Sequence, residues 1–210
     1  MPKARTGYGK GRVSLSSATC LAGFLLLTAG LPLWPARLCA QVVPSGYSGG
    51  ARLWVGGEYS NFLPDFGPPD RLTGFGVFVD WNLRARWGVE GEARFLLFDG
   101  FYGEAQDHYL IGPKVQLIRL GKLRPYAKFL VGIGQNNFPS NLFPSPMGTG
   151  RSFAMAPGGG ADYRLTRRIA LRAEYECQFW PSAPGIAGEP SNGMTPSGFS
   201  AGFAYRLPRY

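Results

Sequence analysis

From residue 51 onward, apolar and polar residues alternate along the chain in eight separate runs. Between Trp87 and Leu97 the odd positions are mostly apolar, whereas the even positions carry glycine, glutamate, arginine and Leu96. Successive strand residues point to opposite sides, so this period of two predicts a β-strand with one apolar and one polar face. The same division predicts strands at about residues 51–61, 73–81, 87–97, 108–118, 125–134, 152–163, 169–179 and 198–207.

The connections between these runs alternate in length. Short turns lie at 82–86, 119–124 and 164–168, and longer segments rich in Pro, Gly, Asn and Ser lie at about 62–72, 99–107, 135–151 and 180–197. Each run is near the ~9–11 residues that a tilted strand needs to cross a bilayer. Short turns at one end and long loops at the other are typical of an up-and-down membrane barrel, with the short turns in the periplasm. The prediction is therefore all-β: an eight-stranded antiparallel transmembrane β-barrel.

Three prolines lie on the apolar face of the predicted strands: Pro113, Pro125 and Pro157. Proline has no backbone N–H to donate to a neighbouring strand, so each one removes a hydrogen bond from the ladder. We therefore expect bulges or strand ends at these three positions.

Alternation alone does not say which face points outward. A soluble, lipocalin-like barrel places its apolar face inside, around a ligand. Aromatic residues, however, gather towards both ends of the apolar face, as in the two interfacial belts of a membrane barrel. At the short-turn end these are Trp81, Trp87, Tyr163 and Tyr205, and at the long-loop end Tyr59, Phe75, Tyr109, Phe153, Phe179 and Phe199.

The polar face carries charges of both signs: Glu58, Asp80, Glu90, Glu92, Arg94, Lys114, Lys128, Asp162, Arg172, Glu174, Glu176 and Arg206. An eight-stranded barrel has room inside only for side chains. Buried charges need partners, which a set of mixed sign supplies. We expect these residues to form a structural charge network in the lumen; the solvated outer face of a soluble barrel is the other interpretation. Pairing of the last run with the first closes the ring and leaves no free edge in lipid.

The first forty residues differ from the rest of the chain. A basic start is followed by an apolar run from about Ala18 to Leu33, and then by the small residues Cys39 and Ala40. This order predicts a secretory signal peptide over 1–40, a lead-in over 41–50 and the barrel over 51–210. A retained membrane helix is the alternative, because the apolar run approaches the ~17 residues of the shortest spanning helices.

The charge of the chain lies largely in that leader. The whole sequence has 22 basic and 13 acidic residues, but 1–40 contain five basic and no acidic ones, which leaves 17 against 13. This balance is mild and dispersed, so it does not favour a nucleic-acid partner. The chain is 45% hydrophobic, which excludes an intrinsically disordered protein.

Five short segments resemble a known family. They are Val55–Ser60, Arg124–Lys128, Gly158–Tyr163, Arg172–Glu176 and Gly202–Leu207, and their order is similar to that in the small outer-membrane β-barrels of the OmpX and OmpA-barrel type. The resemblance implies a monomer in the outer membrane of a Gram-negative cell, exported through the periplasm, surrounded by lipid and inserted by the barrel-insertion machinery. One departure is the terminal aromatic: Tyr210 is out of phase with Tyr205, and Pro208 lies between them.

Catalytic chemistry has little support in the sequence. His108, the only histidine, follows Asp107 where a long loop enters the fourth run. A lipid-modifying barrel would need a histidine near a serine, such as Ser152, and an acid on the outer rim. The strand period places His108 on the lumen side instead. We therefore predict no enzyme activity and no catalytic, metal or cofactor-binding residue.

Paired carboxylates at Glu90, Glu92, Glu174 and Glu176 are compatible with hydrolysis. Pairing with Arg94 and Arg172 in the barrel wall is the favoured interpretation.

The predicted function is a structural or surface-interaction barrel with a charge-filled lumen. A narrow, porin-like channel for small solutes is the alternative, and a lipid-modifying enzyme or a lipocalin-like binding barrel fits less well. The loop 135–151 is apolar for an exposed loop, with Phe138, Leu142 and Phe143, so it either folds over the barrel mouth or contacts an unknown extracellular partner.

Overall fold

The computed structural model describes residues 52–65, 71–98, 105–137, 149–181 and 193–208. They form eight strands: β1 Arg52–Leu63, β2 Leu72–Asn82, β3 Trp87–Phe98, β4 Ala105–Gln116, β5 Leu123–Asn137, β6 Thr149–Arg164, β7 Ile169–Cys177 and β8 Ser197–Arg206. Each strand pairs antiparallel with the next, and β8 pairs with β1. The ring is closed, so the predicted up-and-down barrel is confirmed. Within the described residues, no helix is long and apolar enough to cross a membrane.

All eight predicted strands are present, and β4 shows how its bounds differ from the prediction. It begins at Ala105 rather than 108, because Gln106 pairs with Leu96 and His108 with Arg94 across to β3. Gln106 and His108 are both buried in the lumen, whereas Asp107 lies on the outer face. Because the outward-facing Asp107 interrupts the run of apolar residues on that face, the hydrophobic pattern predicts a strand that starts three residues too late.

The expectation of a bulge or strand end is wrong for Pro113 and Pro157, whereas Pro125 is the third residue of β5, close to the start of that strand. Pro113 and Pro157 both lie inside their strands, and the register is the same on either side of each: Ile111 pairs with Val131 and Lys114 with Lys128. The β6–β7 pairing stops beside Pro157 and resumes in the same register at the bridge between Met155 and Phe179. The strands therefore lose single hydrogen bonds without shifting, while a register shift occurs at Thr73/Gly74.

The apolar face is the outer wall of the barrel. Nine of the ten predicted belt aromatics are between 36% and 61% exposed, and Phe179 is half-buried. Near the long-loop end, aromatic rings of neighbouring strands touch edge to face, as Tyr59 and Phe75 do with their centroids 5.6 Å apart. Apolar side chains outside and charged ones inside suit a barrel that lipid surrounds.

Inward-facing glycines make room for large side chains in the lumen. The ring of Phe78 lies against Gly56, and the indole of Trp180 lies against Gly134, so a β-carbon at either glycine would collide with an aromatic ring. Both aromatic residues are almost fully buried. The small residues on the polar face thus let the lumen be filled by side chains.

Candidate functional site

The lumen contains a network of buried ion pairs, and Arg94 lies in its upper half, towards the long loops. Its Nη2 lies 2.8 Å from Glu58, 2.6 Å from Glu92 and 3.2 Å from Glu174, and its Nη1 lies 3.3 Å from Glu176. The arginine side chain is completely buried. One guanidinium with five N–H donors therefore serves four carboxylates from three strands.

Lys128 is the second cation of this upper half. Its Nζ lies 3.0 Å from Glu90, 2.6 Å from Glu92, 2.8 Å from Glu174 and 3.1 Å from Glu176. Glu92, Glu174 and Glu176 are shared with Arg94, so the two cations and their carboxylates form one connected cluster across the barrel interior.

The lower half, towards the short turns, is built around Lys114 and Arg172. Asp80 lies 2.9 Å from Lys114 and 2.5 Å from Arg172, and Glu90 lies 2.8 and 2.9 Å from the same two residues. Asp162 accepts a 2.9 Å hydrogen bond from Arg172. Because Glu90 also contacts Lys128, it joins the lower cluster to the upper one.

Eleven of the twelve charged residues that the sequence placed in the lumen contact one another there. The twelfth, Arg206, is the last residue of β8 and lies at the short-turn end, where its backbone N–H donates to the carbonyl of Arg168 at 2.7 Å. Of the twelve predicted lumen charges, Arg206 therefore lies at the barrel mouth.

Aromatic and neutral side chains, which the predicted charge network did not include, complete the network. Tyr126 donates a 2.7 Å hydrogen bond to Glu174, and its ring centroid lies 3.8 Å from the Nζ of Lys114. The guanidinium of Arg172 stacks 3.7 Å from the ring of Phe78. Cations over aromatic faces gain attraction in a site that excludes water.

Apolar side chains fill the lumen above and below the charges. Towards the long loops, Trp180 and its neighbours are buried, and Trp180 donates a 2.8 Å hydrogen bond to Gln178, which donates to Glu176 at 2.7 Å. The upper apolar groups are Leu110, Leu130, Ala154, Ala156, Trp180 and Met194, with Phe62, Leu72 and Leu96. The lower group is Trp54, Phe78, Ala170 and Ala204.

Two carboxylate groupings have the spacing of a metal site: Glu92 with His108 and Glu176, and Glu58 with Glu92 and Glu174. The oxygens of the second grouping already contact Arg94, and those of Glu92 and Glu176 contact Lys128. The carboxylates of both groupings are therefore already paired with Arg94 or Lys128.

The residues considered for catalysis do not converge on the lipid face. His108 is fully buried in the lumen, 3.3 Å from Glu92, while Asp107 lies on the opposite side of the same strand. Ser152 is also buried on the lumen side, opposite Gly134 in the β5–β6 pairing. The three side chains therefore form no histidine–acid–serine set at a surface that a lipid reaches.

The chain is similar to known proteins of this architecture. Residues 34–206 match the model of the outer membrane protein beta-barrel domain. Neisserial surface protein A matches with a TM-score of 0.53 at 12% identity, over 75% of this chain and 97% of that one. A search of curated proteins finds no match.

Two further solved structures are similar. OprG from Pseudomonas aeruginosa has a TM-score of 0.49 at 17% identity, over 76% of this chain and 97% of that one. Ail, the attachment invasion locus protein of Yersinia pestis, has a TM-score of 0.47 at 17% identity, over 75% of this chain and 97% of that one. The closed eight-stranded ring, its apolar outer wall and the match over 34–206 place this chain in the outer membrane protein β-barrel family, in the bacterial outer membrane.

Proposed function

We propose that this protein is a closed, non-conducting barrel that holds surface loops at the cell exterior. The observation that carries the proposal is the filling of the lumen: four buried Lys and Arg side chains and seven carboxylates bridge the interior between two apolar layers. A small solute would have to displace both kinds of layer to pass.

Displacement of the charges is costly. Breaking a buried ion pair by removing one partner typically costs ~3–5 kcal/mol, because the remaining charge is left without compensation. In this network each cation has at least three carboxylate partners, so opening a path past Arg94 or Lys128 breaks several contacts together. This arrangement supports a scaffold rather than a narrow channel.

The surface-interaction role is supported by where the long connections leave the barrel. All four connect strands at the end opposite the short turns. At that end the backbone N–H of Thr195 donates to Asp65 at 3.2 Å and its hydroxyl donates at 2.5 Å. This contact ties the start of the first long connection to the end of the last, so the barrel holds the ends of both. The apolar segment with Phe138, Leu142 and Phe143 lies outside the described residues.

The same geometry supports a monomer in contact with outer-membrane lipid. Every strand has two paired neighbours, so the ring has no unpaired edge through which a second copy would add. Delivery by the barrel-insertion machinery is part of this proposal, as is the absence of enzyme activity. Replacing His108 with Ala should leave lipid A composition unchanged, and an altered lipid A profile would favour the enzyme.

Conductance separates the scaffold from the channel. In planar bilayers, the purified protein should give no sustained single-channel currents, while a known porin in the same bilayers serves as the positive control. A variant with Trp180 and Met194 both changed to Ala should also stay closed, because the charged layers beneath remain. Sustained currents from the unaltered protein would contradict the scaffold and support the solute channel.

A further inference from the structure

The short-turn end of the barrel has a strong excess of positive charge. Ten basic residues lie in its turns and in the adjoining strand ends, at 52, 84, 86, 119, 122, 124, 164, 167, 168 and 206. Within the described segments 52–54, 82–86, 116–124, 163–170 and 204–208 there is no Asp or Glu. The charges are spread thinly along the sequence, but the barrel topology brings them to one mouth.

A cavity of about 310 Å³ opens at this mouth. Five arginines line it together with Trp54, Gln116 and a few neutral residues of the first short turn, and no acidic residue among the described ones does so: Arg52, Arg84, Arg119, Arg124 and Arg164. Cavities of ~300–1,000 Å³ are the size that holds small ligands. The guanidinium of Arg164 lies 5.2 Å from the ring centroid of Trp54, which forms part of the cavity wall.

Arg124 is the residue that points to a ligand. Arg124 lines the cavity and is only 8% exposed. Its buried Nε has no hydrogen-bond partner. Asp162, which lies opposite Arg124 in the β5–β6 pairing, accepts a hydrogen bond at Oδ1 from Arg172. The unpaired Nε leaves the charge of this guanidinium poorly compensated, and an anion against the part of Arg124 that lines the cavity would supply the missing opposite charge.

We propose that this arginine-lined cavity at the periplasmic mouth binds a phosphate-bearing anion. Guanidinium forks match phosphate oxygens in bidentate geometry, and several converging forks suit a group that carries more than one negative charge. The phosphate belongs either to a soluble compound of the periplasm or to a phospholipid headgroup of the facing leaflet. This site lies at the opposite end of the barrel from the long loops and is independent of their role.

The test measures binding of inorganic pyrophosphate to the full protein in phosphatidylcholine nanodiscs by titration calorimetry. Arg124→Gln should weaken binding by about tenfold, the loss expected for a charge-assisted hydrogen bond of ~1.5 kcal/mol. Arg167→Gln is the matched control: it removes the same charge from the same end, but from an exposed turn residue outside the cavity. The control should change affinity by less than about twofold.

Heat-dependent migration in detergent gels shows whether each variant is folded. Arg124→Lys keeps the positive charge but loses the two-pronged guanidinium, so its affinity for pyrophosphate should lie between those of the unaltered protein and Arg124→Gln. A second set of nanodiscs containing phosphatidylglycerol distinguishes the two sources. Weaker pyrophosphate binding there, in the unaltered protein but not in Arg124→Gln, identifies a lipid headgroup; equal binding identifies a soluble phosphate. Absence of saturable binding in phosphatidylcholine, or equal losses in Arg124→Gln and Arg167→Gln, would overturn the proposal.

Discussion

At the scale of single residues, the interior depends on buried charges that share their partners. Arg94 and Lys128 each contact several carboxylates and are fully buried, as are Glu90 and Glu92. A buried charge is tolerated only where its partners remain in place. The charged residues of the lumen therefore depend on one another, and the loss of one cation leaves several carboxylates to repel each other.

Changing Arg94 to Leu should lower the free energy of unfolding by ~3–5 kcal/mol, because four carboxylates lose their shared partner. Urea titration of the protein in lipid vesicles measures this. Arg151→Leu is the matched control, since Arg151 is an exposed residue that donates to Gln135 near the long-loop rim, and the change there should stay within ~0.5 kcal/mol. Equal effects at the two positions would show that the network contributes little to stability.

At the scale of the strand, two opposite faces meet different solvents. Val77 lies in the middle of β2 and is 58% exposed on the outer wall, whereas Tyr163 lies outward near the short-turn end of β6. The hydrocarbon core penalises a charge most at its midplane and least at the interface. The depth of a residue along its strand should therefore determine what a mutation costs.

Val77→Arg should destabilise the barrel by ~2–4 kcal/mol, and Tyr163→Arg by only ~0–1 kcal/mol beyond the loss of its ring. The comparison uses the same urea titration in vesicles, with Val77→Ala and Tyr163→Ala as the references for lost side-chain volume. A penalty that does not depend on depth would argue against lipid as the surroundings of this face.

Closure of the ring depends on the close approach of β8 to β1. A β-carbon at Gly202 would collide with the carbonyl of Gly57 and with the backbone and side chain of Glu58. Gly202→Val should therefore destabilise the barrel by ~1–3 kcal/mol and lower the folded fraction after refolding. The neighbouring Ala201 faces outward, so Ala201→Val should fold normally. The folded fraction is read from gel migration without boiling. Equal folded fractions for Gly202→Val and Ala201→Val would contradict a close approach of β8 to β1.

At the scale of the whole molecule, closure determines how the protein unfolds. Removing one strand from a closed ring leaves two unpaired edges in lipid, which is costly, so the barrel should unfold as one unit. The folded protein should migrate differently from the boiled protein in detergent gels, with a single transition as temperature rises. A mobility that boiling does not change would contradict the closed barrel, and a broad, stepwise transition would contradict cooperative unfolding.

The sequence by itself determined the strands, their faces and the closed ring. These follow from local rules: a period of two assigns each residue to a face, and loop length separates the two ends. Where a residue such as Asp107 breaks the apolar phase, the local pattern misplaces the start of the strand.

The tertiary structure alone decided which side chains meet inside. Arg172 reaches Asp80 across a separation of 92 positions. The period of two places Phe78 on the lumen side, but which charged and apolar side chains its ring contacts there depends on the other strands. The same is true of the arginines around Arg124, which are dispersed in the chain and collected at one mouth. The physical reason is that contacts across a barrel depend on the tilt and stagger of strands distant in sequence, which no local period records.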